Sequence, residues 1–372
     1  MNRLLFFSAG FSLIFAVSCS SSSNDNNTQT RIINIPTYKV EDRNAQDCRK
    51  LFSDAKRVSL KSTDKNTTLA NIGSIKFERD HLYVLDDITR KLIKYDQFGN
   101  PIQILSHRGR GHGEYLDIVD FCIDNEENVF IVDGQRDIIN KYSRDFEFLS
   151  TYNLHAEIDL IQILDNGNFL LGLSSWNNRK YAGDELIITD GNFNKIKTVA
   201  RYGRNIDDNY WVDSPRFVKT EDNIIYHRTI DDHVYILNSA DGELKEIINF
   251  DFGSRTIKED ERLNIENKIE TQKFKDKTTL KSCFSISKHN LFGTLFDNQE
   301  SRQIYMDMDS RKITIFHKDK SKAVPFIQFC GAGSGYLLAS ELEQHPNRDD
   351  ETYTISVSYT HLRAHETSAH LV

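Results

Sequence analysis

Paired cysteines are missing from this 372-residue chain. It has five, Cys19, Cys48, Cys122, Cys283 and Cys330, and none stands in a CxxC spacing. No Cys and His cluster has zinc spacing, which excludes a zinc finger or ribbon. Proline is scarce, 5 residues against 23 Phe and 15 Tyr, and such aromatic richness suits half-buried strands. There is no excess of positive charge: 47 basic against 55 acidic residues leave a net charge of −8, which argues against nucleic acid as a partner. The apolar run at residues 4–17 is short for a membrane span.

What is present is a repeat. Residues 82–95 read LYVLDDITRKLIKY and residues 129–142 read VFIVDGQRDIINKY. Tyr83 and Phe130, Asp86 and Asp133, and Tyr95 and Tyr142 are each 47 residues apart. A fixed offset over matched chemistry, with a period of about 40–50 residues, points to propeller blades. The order strand, tight turn, strand, turn, strand recurs from about Val58 to Leu105, Ile118 to Leu154, Leu160 to Val199 and Phe217 to Phe250. A fifth unit covers 290–316, and a sixth begins at Pro325. The expected fold is all-β, a six-bladed β-propeller over residues 31–356, in which the short apolar run from Ile32 to Ile35 completes the last blade. Residues 256–279 break the pattern. Rich in Lys and Glu, without Gly or Pro, and with Ile257, Leu263, Ile265 and Ile269 at loose helical spacing, they predict a short helical insertion between blades four and five.

The N-terminus reads as an address. Residues 1–18 pair Arg3 with an apolar run and small residues, a signal-peptide pattern. The run ends Ala16-Val17-Ser18-Cys19, which resembles a lipobox with Ala16 where Leu is usual. Cys19 is therefore expected to be lipidated, and residues 19–30, polar and of low complexity, to act as a tether. This places the domain in the cell envelope as an outer-membrane lipoprotein, periplasmic or surface-exposed, with the membrane as a partner through its anchor. In an exported protein the other four cysteines permit disulfides. Cys122 and Cys283, which open strand-like runs, read better as buried thiols.

Between the first two blades lies His107-Arg108-Gly109-Arg110-Gly111-His112-Gly113-Glu114-Tyr115. With the preceding VLDDITRKLIKYDQFGN, it resembles the 6-bladed β-propeller lipoprotein family, relatives of NHL-repeat proteins found in gut Gram-negative bacteria. That family often carries GRGPGEY, and His112 stands here in place of the proline. The resemblance implies the fold and the anchor but little chemistry. Read from its residues, the loop has three glycines in five positions, flanked by Arg108 and Arg110, a composition suited to holding a phosphate or carboxylate. No GK[ST] follows and no GxGxxG is present, which excludes a P-loop and a dinucleotide fingerprint. Arg108, Arg110, His112 and Glu114 are the candidate ligand-binding residues; the alternative is an inter-blade turn with Arg110 and Glu114 bonded to backbone or to each other. Asp86 and Asp133, being repeated, predict turn-capping roles. Tyr210 and Trp211, with Trp176, form a candidate aromatic platform.

No catalytic constellation, metal set or cofactor motif is legible. The expectation is a binding or scaffold module for a protein or glycan ligand; the alternative is an NHL-like metal-dependent hydrolase or lyase with its site in the central channel. From Val357 the sequence VSYTHLRAHETSAHLV fits no blade and resembles translated sequencing-adapter text. Residues 357–372 therefore read as a non-native tail, with the sixth blade truncated and His361, His365 and His370 not a metal site.

Overall fold

The computed structural model describes residues 31–35, 56–203, 217–228, 233–250, 252–263, 268, 274–297, 300–310, 313–316, 328–333, 335–343 and 354–361. Two strands come first, β1 (Arg31–Ile35) and β2 (Lys56–Ser59). The first repeat builds β3 (Ser74–Glu78), β4 (His81–Asp86), β5 (Lys91–Tyr95) and β6 (Pro101–Leu105), and the second β7 (Asp120–Ile123), β8 (Val129–Asp133), β9 (Ile138–Tyr142) and β10 (Phe148–Asn153). The third builds β11 (Ile158–Ile163), β12 (Phe169–Leu173), β13 (Asp184–Thr189) and β14 (Lys195–Arg201). Next come β15 (Val218–Lys219), β16 (Asn223–His227), β17 (His233–Asn238) and β18 (Leu244–Phe250), then β19 (Thr278–Ser287), β20 (Asn290–Asp297), β21 (Glu300–Asp307) and β22 (Ile313–Phe316). The last are β23 (Gln328–Gly333), β24 (Tyr336–Glu343) and β25 (Thr354–His361).

Each repeat folds into an antiparallel meander. Among the described residues five sheets have four strands, ordered β3-β4-β5-β6, β7-β8-β9-β10, β11-β12-β13-β14, β19-β20-β21-β22 and β23-β24-β25-β2; the fourth sheet adds a fifth strand, β15-β16-β17-β18-β1. Apolar clusters lie between successive sheets. Tyr83 and Leu85 of the first pack with Phe121 and Ile131 of the second, and Phe130 with Phe169 of the third. Leu170 packs with Ile224, and Ile225 with Phe284 and Leu337. Val58 and Leu338 of the last sheet pack on Ile75 and Val84 of the first, closing the circle. This is an all-β propeller: each sheet is covered on both faces by its neighbours, so its middle strands are largely buried. β5, β8, β12 and β16 are buried along their whole length.

Because the strands alternate in direction, the ring has two ends. On one, the turn face, lie the first and third turns of each sheet. Three of these share an Asp-x-x-x-Asn pattern: the Oδ1 of Asp96, Asp124 and Asp190 accepts two backbone N–H bonds at 2.8–2.9 Å, and Oδ2 accepts the amide of Asn100, Asn128 or Asn194. Turns of neighbouring sheets touch here, with Asp165 N–H bonding Ser239 O at 3.0 Å. On the other end, the loop face, lie the second turns and the connections between sheets. They touch too: the Tyr115 hydroxyl donates to Arg90 O at 2.8 Å, and Arg90 pairs with Asp117 at 3.1 Å.

Three expectations need correction. β1 does not complete the last sheet. It lies parallel to β18, Arg31 opposite Glu246 and Ile35 opposite Phe250, and the strand that joins the last sheet is β2, through β25. The first unit therefore starts at Ser74 rather than Val58, whose strand belongs to the last sheet. Residues 357–361 lie in β25, paired with β24 from Tyr336↔His361 to Glu343↔Thr354. The stretch TISVSYT alternates β-branched or aromatic residues with serine, a strand pattern that the tail reading passed over. In the described part of 256–279 the short helical insertion is present as a 3-10 turn at Glu259–Arg262, preceded by another at Gly253–Arg255, and Lys268 is helical. There Ile257 is buried and Leu263 exposed, and Lys277 is held by Thr256 O and Glu261. Residues 264–267 and 269–273 lie outside the described residues, as do the signal peptide, Cys19 and the tether.

Candidate functional site

The glycine-rich connection between the first two sheets is built as a closed loop. Gly109 N–H bonds Tyr115 O at 2.8 Å, and Tyr115 N–H bonds His107 O at 3.2 Å. The Glu114 carboxylate folds back over it and accepts Gly111 N–H at 2.6 Å. A Cβ at Gly109 would stand 2.0 Å from Glu114 Oε2, so only glycine leaves room for that carboxylate. Gly113 has φ +72°, and a side chain there would also strike the Phe148 ring. The anion held by this loop is thus its own Glu114.

The loop is bolted to both sheets. Glu114 O accepts Arg136 Nη1 at 2.9 Å and Asn140 Nδ2 at 3.2 Å, and Gly113 O accepts the Tyr142 hydroxyl at 3.1 Å. Tyr115 is fully buried, with its hydroxyl also donating to Leu105 O at 3.0 Å. Burial, with Tyr142 nearby, pushes its phenol far above the ordinary range. Arg108 Nε donates to Leu116 O at 3.0 Å. The His112 ring meets Phe148 edge-to-face at 4.6 Å. Arg108, Arg110 and His112 are exposed, whereas Glu114 is half-buried. The four candidate residues therefore share one loop but divide in role: Glu114 is spent on the loop's own shape, and the other three stay exposed, Arg108 bonded to Leu116 O and His112 packed on Phe148.

Asp86 and Asp133 have the turn-capping role that their repetition predicts. Both are fully buried. Asp86 accepts the N–H of Ala70 at 2.7 Å, Thr89 at 3.0 Å and Ile88 at 3.1 Å. Asp133 accepts the N–H of Leu116 at 2.8 Å and, at 3.2–3.3 Å, those of Asp117, Gln135 and Arg136. Each aspartate thereby ties the second turn of its sheet to the connection entering that sheet.

The first strands carry a polar set that sequence reasoning missed. Lys76 of β3 reaches Phe121 O and stands 3.7 Å from Asp120. Asp120 of β7, fully buried, accepts Ile161 N–H of β11 at 3.0 Å. Lys219 of β15 donates to Ile163 O at 3.1 Å and pairs with Asp165 at 2.7 Å. Glu78, exposed at the turn-face end of β3, lies within electrostatic reach of Lys76 and Lys219. The only signal for this set was charged residues inside strand-like runs.

Cys122 and Cys283 are free and buried, and Cys330 is half-buried. Burial pushes the Cys122 thiol up to about 12, as expected for inert core thiols. Cys48, Tyr210, Trp211, His365 and His370 lie outside the described residues, and Trp176 is half-buried in the loop-face turn after β12. Among the described residues no three His, Cys, Asp or Glu side chains are grouped so as to hold a metal ion. No helix among them is long and apolar enough to cross a membrane.

Solved structures share this architecture at low identity. A "putative exported protein" from Bacteroides fragilis aligns with TM-score 0.68 and 15% identity over 90% of this chain and 100% of its own. A member of the DUF4221 family from Bacteroides vulgatus aligns with TM-score 0.52 and 10% identity, over 82% of this chain and 96% of its own. A virginiamycin B lyase from Staphylococcus aureus aligns with TM-score 0.48 and 10% identity, over 83% and 100%, too loosely to bear on function. No curated protein matches the sequence. Residues 30–348 match the model of a domain of unknown function, DUF4934, and the chain belongs to that family.

Proposed function

We propose that this DUF4934 member is an exported, lipid-anchored, six-bladed propeller that serves as a binding or scaffold module through its loop face. The observation that carries the reading is the glycine-rich loop. Its backbone is locked by Glu114, Tyr115 and the sheets beside it, while Arg108, Arg110 and His112 stay exposed on it. A rigid backbone displaying cationic and imidazole side chains binds at low ordering cost and suits an acidic or polar ligand, a protein segment or a glycan. The six-blade count takes the five-stranded sheet as a blade extended by β1. Export and anchoring draw support from residues 1–19 and from the likeness to a Bacteroides structure described as exported.

The mature full chain on glycan and peptide arrays tests this. Binders of the wild type should lose about tenfold in affinity with Arg108→Ala/Arg110→Ala, a loss of about 1.4 kcal/mol; equal binding by both forms would sink the loop-face reading. A second reading, a channel-centred hydrolase or lyase, draws on the grouping of the exposed Glu78 with Lys76 and Lys219 on the first strands. Stoichiometric metal in the protein purified without a His tag, measured by plasma mass spectrometry, would favour it.

A further inference from the structure

His227 is the last residue of β16, and it is 3% exposed. Its ring stands between two backbone carbonyls. Nδ1 is 3.1 Å from His233 O, at the start of β17, and Nε2 is 2.6 Å from Leu280 O of β19. The first contact stays within the fourth sheet, and the second crosses to the fifth. A carbonyl oxygen only accepts, so each contact calls for an N–H on the ring. Neutral imidazole has one. It bonds one carbonyl and turns the lone pair of its other nitrogen on the second. Imidazolium has two N–H groups and bonds both.

The titratable and charged groups on the strands around the ring are these. On β16, Tyr226 donates to Glu185 at 3.0 Å, and Arg228, one residue past the strand, stands 3.6 Å from the same carboxylate and lies over the Tyr202 ring. These groups turn to the third sheet. From β15, Lys219 is paired with Asp165. From β17, His233 is half-buried, with its ring 6.4 Å from that of Tyr235. From β19, Lys281 follows Leu280 and is exposed. What meets the two ring nitrogens is the pair of carbonyl oxygens. The site lies at the loop face, because β16 leads into the second turn of its sheet. Leu280 is the third residue of β19, just past the connection from β18, in which Lys277 is held by Thr256 O and Glu261. His227 thus pins the point where that long connection re-enters the ring of sheets.

We propose that His227 is a pH-sensitive clasp between the fourth and fifth sheets. Doubly protonated, it bonds both carbonyls and closes the joint. The loss of either proton breaks the bridge, and the start of β19 loosens. The folded joint favours the charged ring over the neutral one. The stability it adds is therefore fully present below the ordinary histidine value of about 6.5, and it is lost as the pH rises through the higher value at which the folded ring releases its proton.

The test uses the full chain labelled with nitrogen-15 histidine, and the His227 ring signals are identified by their absence in His227→Gln. Two protonated ring nitrogens at about pH 6, with a titration midpoint at least roughly half a unit above 6.5, support the clasp. A single protonated nitrogen at that pH, or a midpoint at or below about 6.5, overturns it. Hydrogen–deuterium exchange of the wild type reads the joint itself. From about pH 6 to about pH 8, after correction for the intrinsic pH dependence of exchange, peptides covering 278–283 should exchange about fivefold faster, while those covering β8 stay unchanged. A ring that titrates as expected with no change at 278–283 overturns the clasp, since its proton then holds nothing together. In His227→Gln the same peptides should exchange fast at both pH values; wild-type slowness at about pH 6 in that variant also overturns it. If His227→Gln does not fold, His227→Asn supplies the assignment, and the wild-type exchange decides without either.

Discussion

At the scale of single residues, Gly109 and Glu114 depend on each other. Gly109→Ala puts a methyl 2.0 Å from the Glu114 carboxylate and should cost about 1–3 kcal/mol, the usual range for overpacking. Adding Glu114→Ala removes the clash, so the double variant should unfold at higher urea than the sum of the single losses predicts; strict additivity would mean that the two do not meet. Asp133→Ala leaves the N–H groups of Leu116, Asp117 and Gln135 without their acceptor, and a loss of about 3 kcal/mol or more in urea denaturation is expected. Asp190 carries a pH signature. Hydrogen bonds from the Asn194 amide, then from the Asn194 and Asn192 backbone, hold its carboxyl below the ordinary value. A lowered folded pKa means stability that is present above about pH 4 and lost as the pH falls through the folded value. Asp190→Asn keeps the turn's acceptor but drops the charge. Its melting temperature should lie below that of the wild type at pH 7, and the gap should close toward pH 2; a gap constant with pH would refute the ionic contribution.

At the scale of elements, local pairing was legible and distant pairing was not. Asp86 and Asp133 fall at the ends of equivalent strands, and Tyr95 and Tyr142 close the third strands. Strands, turns and alternation are properties of neighbours in sequence, so a 47-residue offset carries them. The Gly109–Gly113 loop was legible as a special backbone, but its own Glu114 fills the anion position. The destinations of β1 and β25 were not legible, because any apolar, β-branched segment satisfies an open edge and only the assembled ring decides which edge is near. For β1 the consequence is measurable. Deleting residues 1–35 exposes the β18 edge, which should lower stability on the order of 2 kcal/mol, a melting shift of several degrees. The open edge should also promote self-association on size-exclusion chromatography. An unchanged melting point and elution volume would show that β1 contributes nothing as a strand.

At the scale of the whole molecule, closure joins the two ends of the chain. β2 comes from the N-terminal part and β23 to β25 from the C-terminal part, and they meet in one sheet. Each sheet otherwise packs mainly on its neighbours, an arrangement that tends to unfold piecemeal unless its ends are tied. Here the ends are tied twice, by β2 along β25 and by Val58 and Leu338 against the first sheet. A chain stopped after residue 353 lacks β25, so β2 loses its partner and the last sheet keeps two strands. The first sheet then loses the part of its cover that Val58 supplies, while Leu338 of β24 stays. The stopped chain should melt lower, and its urea transition should broaden, with a smaller m-value than the full chain because fewer sheets unfold together. If the stopped chain keeps the full transition, with the same midpoint and slope, residues 354–361 do not close the ring, and the tail reading of the sequence regains its force.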